Sequence, residues 1–206
     1  MMDNKATFSC SGCGASHSVD VYPLINVSAN PDLKTKVMDG SLFVWECRDC
    51  GRMNLARYTS LYHDPDQKLI ILLSDGNPEN EQALVKAFSE AGETDGYIAR
   101  LVKETGELIE KVKIIEAGLD DRVIEMCKYV TCMELGSEQA LKFLRLDGAD
   151  GDITLAYPHS GQMEMVNIGF NVYSDCERIL RRNPQMTEGS TGLVRIDRDW
   201  IASYFQ

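Results

Sequence analysis

The sequence predicts an α+β protein: a zinc-ribbon-like N-terminal domain of the rubredoxin-knuckle type with one inserted helix, followed by a helical and then mixed α+β C-terminal region. Three observations carry this. Two segments of the same form, Cys10-Ser11-Gly12-Cys13-Gly14 and Cys47-Arg48-Asp49-Cys50-Gly51, leave 33 residues between Cys13 and Cys47. Short apolar, β-branched runs lie between and after them. Beyond residue 75 the apolar residues fall into the three-and-four spacing of helices, and after Gly136 they return to strand-like runs.

Taken in order, residues 19–27 are apolar and β-branched enough for an extended stretch. Asn30-Pro31 then offers an N-cap and a first-turn proline, Leu33, Val37 and Met38 form one face, and Gly40 stops a short helix. Residues 41–46 deliver a strand into the second cysteine pair. After the turn at His63-Asp64-Pro65-Asp66, residues 69–73 read as another strand. Ser74-Asp75-Gly76-Asn77-Pro78 is the best linker and sets the expected domains at 1–75 and 76–206.

In the second part, Ala83, Leu84, Ala87, Phe88 and Ala91 repeat at helical spacing. So do Ile98, Leu101, Val102, Leu108, Ile109, Val112 and Ile115, with Gly106 as a point of kink or break. Asp120 caps a third helix carrying Val123, Ile124, Cys127 and Val130, so helices extend to about residue 135. Residues 143–146, 153–157 and 164–168 read as strands, the first two joined across Asp147-Gly148-Ala149-Asp150-Gly151-Asp152. A helix from Asn171 to Asn183-Pro184, a short strand at 193–196 and a last helix capped by Asp197 complete the chain.

Each Cys-x-x-Cys-Gly reads as a tight knuckle whose two sulfurs face one ion, the glycine taking the positive φ that closes the turn. Two knuckles make a tetrahedron of Cys10, Cys13, Cys47 and Cys50. Four protein thiolates leave no open position, so the expected cofactor is one structural zinc per chain. Iron in a rubredoxin-like electron carrier is the rival metal. A thioredoxin-like dithiol needs one such pair at a helix N-terminus and fits a doubled, glycine-ended pair poorly.

Seven cysteines, an odd number, argue against a disulfide framework. The first residues hold no apolar stretch of signal-peptide length, and no run is long enough to span a bilayer. A cytoplasmic, reducing setting is expected. Residues 1–73 carry 7 Lys/Arg against 8 Asp/Glu, whereas 74–206 carry 14 against 24. That acidity would repel phosphates, so no nucleic-acid partner is expected.

Both knuckles, with Asp39-Gly40-Ser41-Leu42-Phe43-Val44-Trp45-Glu46-Cys47 and Leu61-Tyr62-His63-Asp64-Pro65-Asp66-Gln67-Lys68-Leu69, resemble the CpXC domain proteins of bacteria and archaea. Leu108-Ile109-Glu110-Lys111 and Leu119-Asp120-Asp121-Arg122-Val123-Ile124-Glu125 extend the resemblance over the first two thirds of the chain. In that family the second position of each cysteine motif is typically proline. Here it is Ser11 and Arg48, which weakens the preset turn and removes no ligand. The resemblance implies a metal-binding module and supplies no reaction.

Other chemistry-bearing residues have plainer readings. His63 beside Asp64 suggests a general base, but no nucleophile pattern accompanies it, and it reads as a turn histidine. His17, four residues after Cys13, is a replacement ligand, an outer donor to a sulfur, or, as four thiolates already suffice, a surface residue. His159 sits in a turn without companions. Cys127, Cys132 and Cys176 read as core. Asp147, Asp150 and Asp152 lack the remaining oxygens of a calcium loop. Asp120, Asp121 and Glu125 read as helix-start acids, with an acidic metal site or carboxylate dyad as the alternative.

The functional expectation is a zinc-binding module acting by contact with a protein partner or another copy of itself, with no catalytic residues assigned. Trp200, Tyr204 and Phe205 on the last helix are the candidate anchors. An enzyme with its site in the C-terminal region is the alternative.

Overall fold

The computed structural model describes residues 4–90, 96–136, 140–148 and 151–205, without the side chains of 87–90. Ala91, Ala149, Asp150 and the side chains of Ala87 and Phe88, which entered the sequence expectations, therefore lie outside the described residues. The architecture is mixed α+β, and it divides into two compact units, Met1–Ile109 and Glu110–Gln206.

The first unit holds two small β-ribbons and a four-stranded sheet. Strands β1 (Lys5–Ser9) and β2 (Ser16–Asp20) pair antiparallel, with Phe8 opposite His17. Both strands alternate exposed and half-buried residues, so Phe8, His17 and Val19 share the inner face. After β3 (Leu24–Asn26), the helix expected behind Asn30-Pro31 forms as α1 (Asp32–Met38). Asn30 contributes its carbonyl to the first turn, and the N-cap position falls on Pro31 instead. A 3-10 turn at Ser41–Phe43 replaces the first half of the expected strand 41–46. The second half is β4 (Val44–Glu46), paired antiparallel with β5 (Met53–Leu55) so that Trp45 faces Asn54.

The sheet adds β6 (Ser60–Asp64), β7 (Leu69–Leu73) and β8 (Ile98–Val102) in the order β3-β6-β7-β8. Every residue of β7 is buried, as its unbroken Leu-Ile-Ile-Leu-Leu run requires of a strand covered on both faces. β7 and β8 are parallel and joined through α2 (Pro78–Glu90), the crossover a parallel pair needs. The turn at Ser74–Pro78 thus leads from strand to helix within the first unit.

Residues 98–102 correct the helical reading. Ile98, Leu101 and Val102 fit a helical stripe, but they also fit a strand, and backbone pairing with β7 decides between them. Helix α3 starts only at Thr105, which puts Gly106 in its first turn rather than its interior.

α3 (Thr105–Glu116) continues past the division. The second unit adds α4 (Asp121–Leu135), capped by the Asp120 carboxylate on the Arg122 N–H and ended by left-handed Gly136, as the sequence predicts. Strands β9 (Lys142–Asp147), β10 (Asp152–His159) and β11 (Gln162–Ile168) form an antiparallel meander. Helices α5 (Phe170–Arg182), α6 (Pro184–Glu188) and α7 (Arg198–Ala202) follow, the last one ending before Tyr204 and Phe205, which the sequence places on it. The core gathers Val123, Ile124, Met126 and Cys127 of α4 with Ile153, Leu155, Tyr173, Cys176 and Ile201. The strand expected at 193–196 reduces to an isolated bridge at Val194.

Candidate metal centre

Each ribbon turns through one knuckle. In the first, the Cys10 N–H donates to Ala15 O (2.8 Å) and the Gly14 N–H to Cys10 O (3.0 Å). In the second, the Cys47 N–H donates to Arg52 O (2.9 Å) and the Gly51 N–H to Cys47 O (2.8 Å). The matching glycines take φ of 77° and 71°, a left-handed backbone that a side chain at either position would strain. The backbone bonds and these two glycines thus close both turns with Ser11 and Arg48 in the proline positions.

The two knuckles converge. Cys10 Sγ lies 3.6 Å from Cys50 Sγ, and Cys13 Sγ lies 3.6 Å from Cys47 Sγ. All four sulfurs fall within 4.8 Å of one another. Four thiolates about 2.3 Å from a shared ion stand about 3.8 Å apart along a tetrahedral edge. These two 3.6 Å separations match that edge and are far longer than a disulfide, and all four thiols are free. Cys10, Cys13, Cys47 and Cys50 are thus brought together as the sequence predicts, in a set that fits a tetrahedral cation.

The site is half sunk: Cys10 and Cys47 are buried, whereas Cys13 and Cys50 face solvent. The Cys13 and Gly12 N–H groups help hold the Cys10 thiol down at about 6. Cys50 accepts the Arg52 N–H, yet the sulfurs of Cys13 and Cys10 override that and push it up to about 12. Cys13 is raised too, despite the Ala15 N–H, because Cys47 lies beside it. Neighbouring sulfurs resist simultaneous ionisation, and a cation among them removes that opposition.

Two side chains complete the surroundings. Asn54 Nδ2 donates to Cys10 Sγ (3.6 Å) and to Arg52 O (2.8 Å), while its Oδ1 accepts the Ser11 N–H and hydroxyl, both at 2.9 Å. His17 Nε2 lies 3.3 Å from Cys47 Sγ and 3.2 Å from Asp49 Oδ2, its ring tilted over Trp45 at 5.5 Å. His17 is therefore not the surface residue that sufficiency of four thiolates suggests. Asn54 belongs to no ligand motif in the sequence, although a cue exists: His17 and Asn54 each stand four residues after the second cysteine of their knuckle.

The other flagged residues lie elsewhere. His63 sits on β6 with Nε2 3.3 Å from Tyr97 Oη, and its pKa is lowered by burial against the opposing pull of Asp64. Asp64 is buried and bound by Lys34 Nζ at 2.7 Å. His159 is exposed, edge-on to Tyr157. Cys127, Cys132 and Cys176 are buried, as expected of core residues. The interaction between Cys127 and Cys176 raises the first thiol and lowers the second.

Asp120 is the helix-start acid expected of it, but Asp121 and Glu125 are buried in ion pairs. Lys111 Nζ lies 2.9 Å from Asp121, and Lys128 Nζ lies 2.8 Å from Glu125 and 3.0 Å from Glu110. Three carboxylates and two ammonium groups share this interior, and desolvation raises Glu125 against the pull of Lys128 and Lys111. No helix of the described residues is long and apolar enough to cross a membrane.

Compared with known protein families, residues 8–128 match the family described as CpXC protein, a span holding both knuckles, Asn54 and most of α4. No match to the chain was found among curated proteins or among solved structures.

Proposed function

The chain belongs to the CpXC family, and from that membership we propose that it is a structural-zinc protein. One Zn2+ per chain is held by Cys10, Cys13, Cys47 and Cys50 in a zinc-ribbon-like module over residues 1–75, and the protein works as a binding or regulatory module. The observation that carries this reading is the convergence of four free sulfurs at tetrahedral spacing. When bound, the cation compensates the thiolates and couples the two ribbons. The chain's own part is to supply four thiolates and close the coordination sphere against water or substrate.

Contact with a macromolecule is supported by the outer face of the second ribbon. Val44 and Leu55, cross-strand partners, are both exposed there, as is Met53 on the same face. The partner is a protein or a second copy. Nucleic acid is disfavoured by a net charge of −11. A reducing, cytoplasmic setting suits the free thiols.

An enzyme is the second reading, and one observation favours it, although it puts the candidate site in the first unit rather than in the C-terminal region. A cleft of about 520 Å3 opens by the carboxyl ends of the parallel strands β7 and β8, where α/β proteins bind ligands, and is lined in part by Arg57, Ser74, Asp75, Glu81 and Lys103.

Metal analysis of the protein purified without added chelator tests the main reading. Close to one equivalent of zinc is expected. Stoichiometric iron with visible colour, or no bound metal, overturns it.

A further inference from the structure

The two knuckles are related by more than their cysteines. Phe8 and Trp45 stand two residues before the first cysteine of their own knuckle, and His17 and Asn54 stand four after the second. The strand register pairs Phe8 with His17 and Trp45 with Asn54. The chain thus contains the same ribbon twice. The polar member of each pair does not serve its own knuckle: His17 reaches Cys47, and Asn54 reaches Cys10.

We propose that His17 and Asn54 are reciprocal donors to the metal site, each hydrogen-bonding the first thiolate of the opposite knuckle and together setting how tightly the ion is retained. This deepens the metal-site reading above and rests on it. Three features of the geometry support it. The sulfurs addressed are the two buried ones, which water cannot reach, whereas exposed Cys13 and Cys50 can be solvated. Tetrathiolate ligation of a divalent ion leaves a net charge of −2, so N–H donors to the buried sulfurs relieve charge where relief is scarce. The donor assignment is also settled by the neighbours: Nε2 of His17 faces a ligand sulfur and the Asp49 carboxylate, both acceptors, so it carries the hydrogen.

Crosswise donation makes each ribbon dependent on the other. Asn54 is fixed by its bonds to Ser11 and Arg52, and so spans from the second ribbon to the first knuckle. His17 is fixed by Asp49 and by Trp45, and spans the other way. Both are positioning residues; neither adds a ligand.

The test uses the full chain loaded with Co2+, whose sulfur-to-metal charge-transfer band reports the electron density on the thiolates, together with the release rate into excess chelator. His17→Phe keeps a ring against Trp45 and removes the donor. His17→Gln restores an N–H. Asn54→Asp keeps the acceptor for Ser11 and turns the donor into a repelling carboxylate. Outer-shell losses of this kind weaken metal retention on the order of 10–100-fold. His17→Phe and Asn54→Asp are expected to release cobalt faster by about that factor, with the charge-transfer band displaced, and His17→Gln to recover most of the difference. An unmoved band and release rate in both donorless variants, with wild-type protein binding one ion, overturn the inference and leave the metal site standing. Loss of a second equivalent of metal in His17→Phe also overturns it, because His17 is then a ligand. Wild-type protein that binds no cobalt sinks the metal-site reading itself and the inference with it.

Discussion

Cys13 Sγ and Cys47 Sγ, 34 positions apart in sequence, stand 3.6 Å from each other, and with the Cys10–Cys50 pair they join the two ribbons at one point. The chain between them, β2, β3, α1 and β4, is the loop that this junction closes. Cys47→Ser is therefore expected to lose the metal and loosen residues 1–75 together, because in such sites the free energy of metal binding is free energy of folding. Metal content, the melting profile and limited proteolysis check this. A variant with unchanged melting and unchanged protease resistance would count against a structural role.

Lys128 is held between Glu110 and Glu125, and all three are buried. Glu110 has a second duty, since its Oε1 also accepts the Phe143 N–H at 2.7 Å and so ties α3 to β9. Lys128→Met leaves two carboxylates facing each other without their shared cation, and removing one partner of a buried pair costs about 3–5 kcal/mol. Denaturant unfolding should show a loss of that size. A loss below about 1 kcal/mol would mean that the pair is solvated, like an ordinary surface pair.

The same cluster gives a pH dependence with a definite sign. Glu125 is raised above its ordinary value of 4.5, first by desolvation, so the folded state holds its proton more tightly than the unfolded chain does. Its contribution is favourable at and below pH 4.5 and is lost as pH rises from there through the folded value. Glu125→Gln, neutral at every pH, should flatten the stability profile over that window. An unchanged slope in stability measured from pH 4 upward would refute the assignment.

The cluster of four cysteines was legible because each pair is contiguous and its glycine announces the turn. The buried ionic cluster was not. Glu110 and Lys111 on α3, and Asp121, Glu125 and Lys128 on α4, have the composition of solvated helix faces, and only packing within the second unit turns them inward. Asn54 was hidden for another reason: a lone asparagine after a knuckle carries no signal until its position is compared with that of His17. Strand β7 was legible from its five consecutive aliphatic residues. β8 was not, because Ile98, Leu101 and Val102 satisfy both periods and a hydrogen-bonding partner 29 positions away decides.

Nucleic-acid binding is expected to be absent. In and beside the second knuckle, Arg48 and Arg52 are exposed, but Asp49 and Glu46 stand near them in sequence, and the chain as a whole is at −11. Electrophoretic mobility or fluorescence titration at low salt, against duplex and single strands, should detect no binding below about 100 μM, the weak end of ordinary non-specific affinity. Salt-dependent micromolar binding would reverse this expectation.

The C-terminal aromatics divide into a packed pair and an open one, which makes the contact hypothesis testable. Trp200 packs on the second unit's core, donates Nε1–H to Gly189 O at 3.2 Å and meets the Tyr204 ring edge at 5.2 Å. Tyr204 is anchored by its hydroxyl on Gln185 O. Phe205, 49% exposed, stacks on Tyr129 at 6.0 Å. Trp200→Ala therefore removes packing and should cost about 2–4 kcal/mol, whereas Phe205→Ala should cost under about 1 kcal/mol. If the chain associates with a partner or with its own copy through this end, Phe205→Ala will weaken association while leaving the melting temperature nearly unchanged. Light scattering and sedimentation, run beside thermal melts, separate the two effects. An equal loss of stability in both variants would make the last helix purely a packing element and move the search for a contact surface to the Val44–Leu55 face.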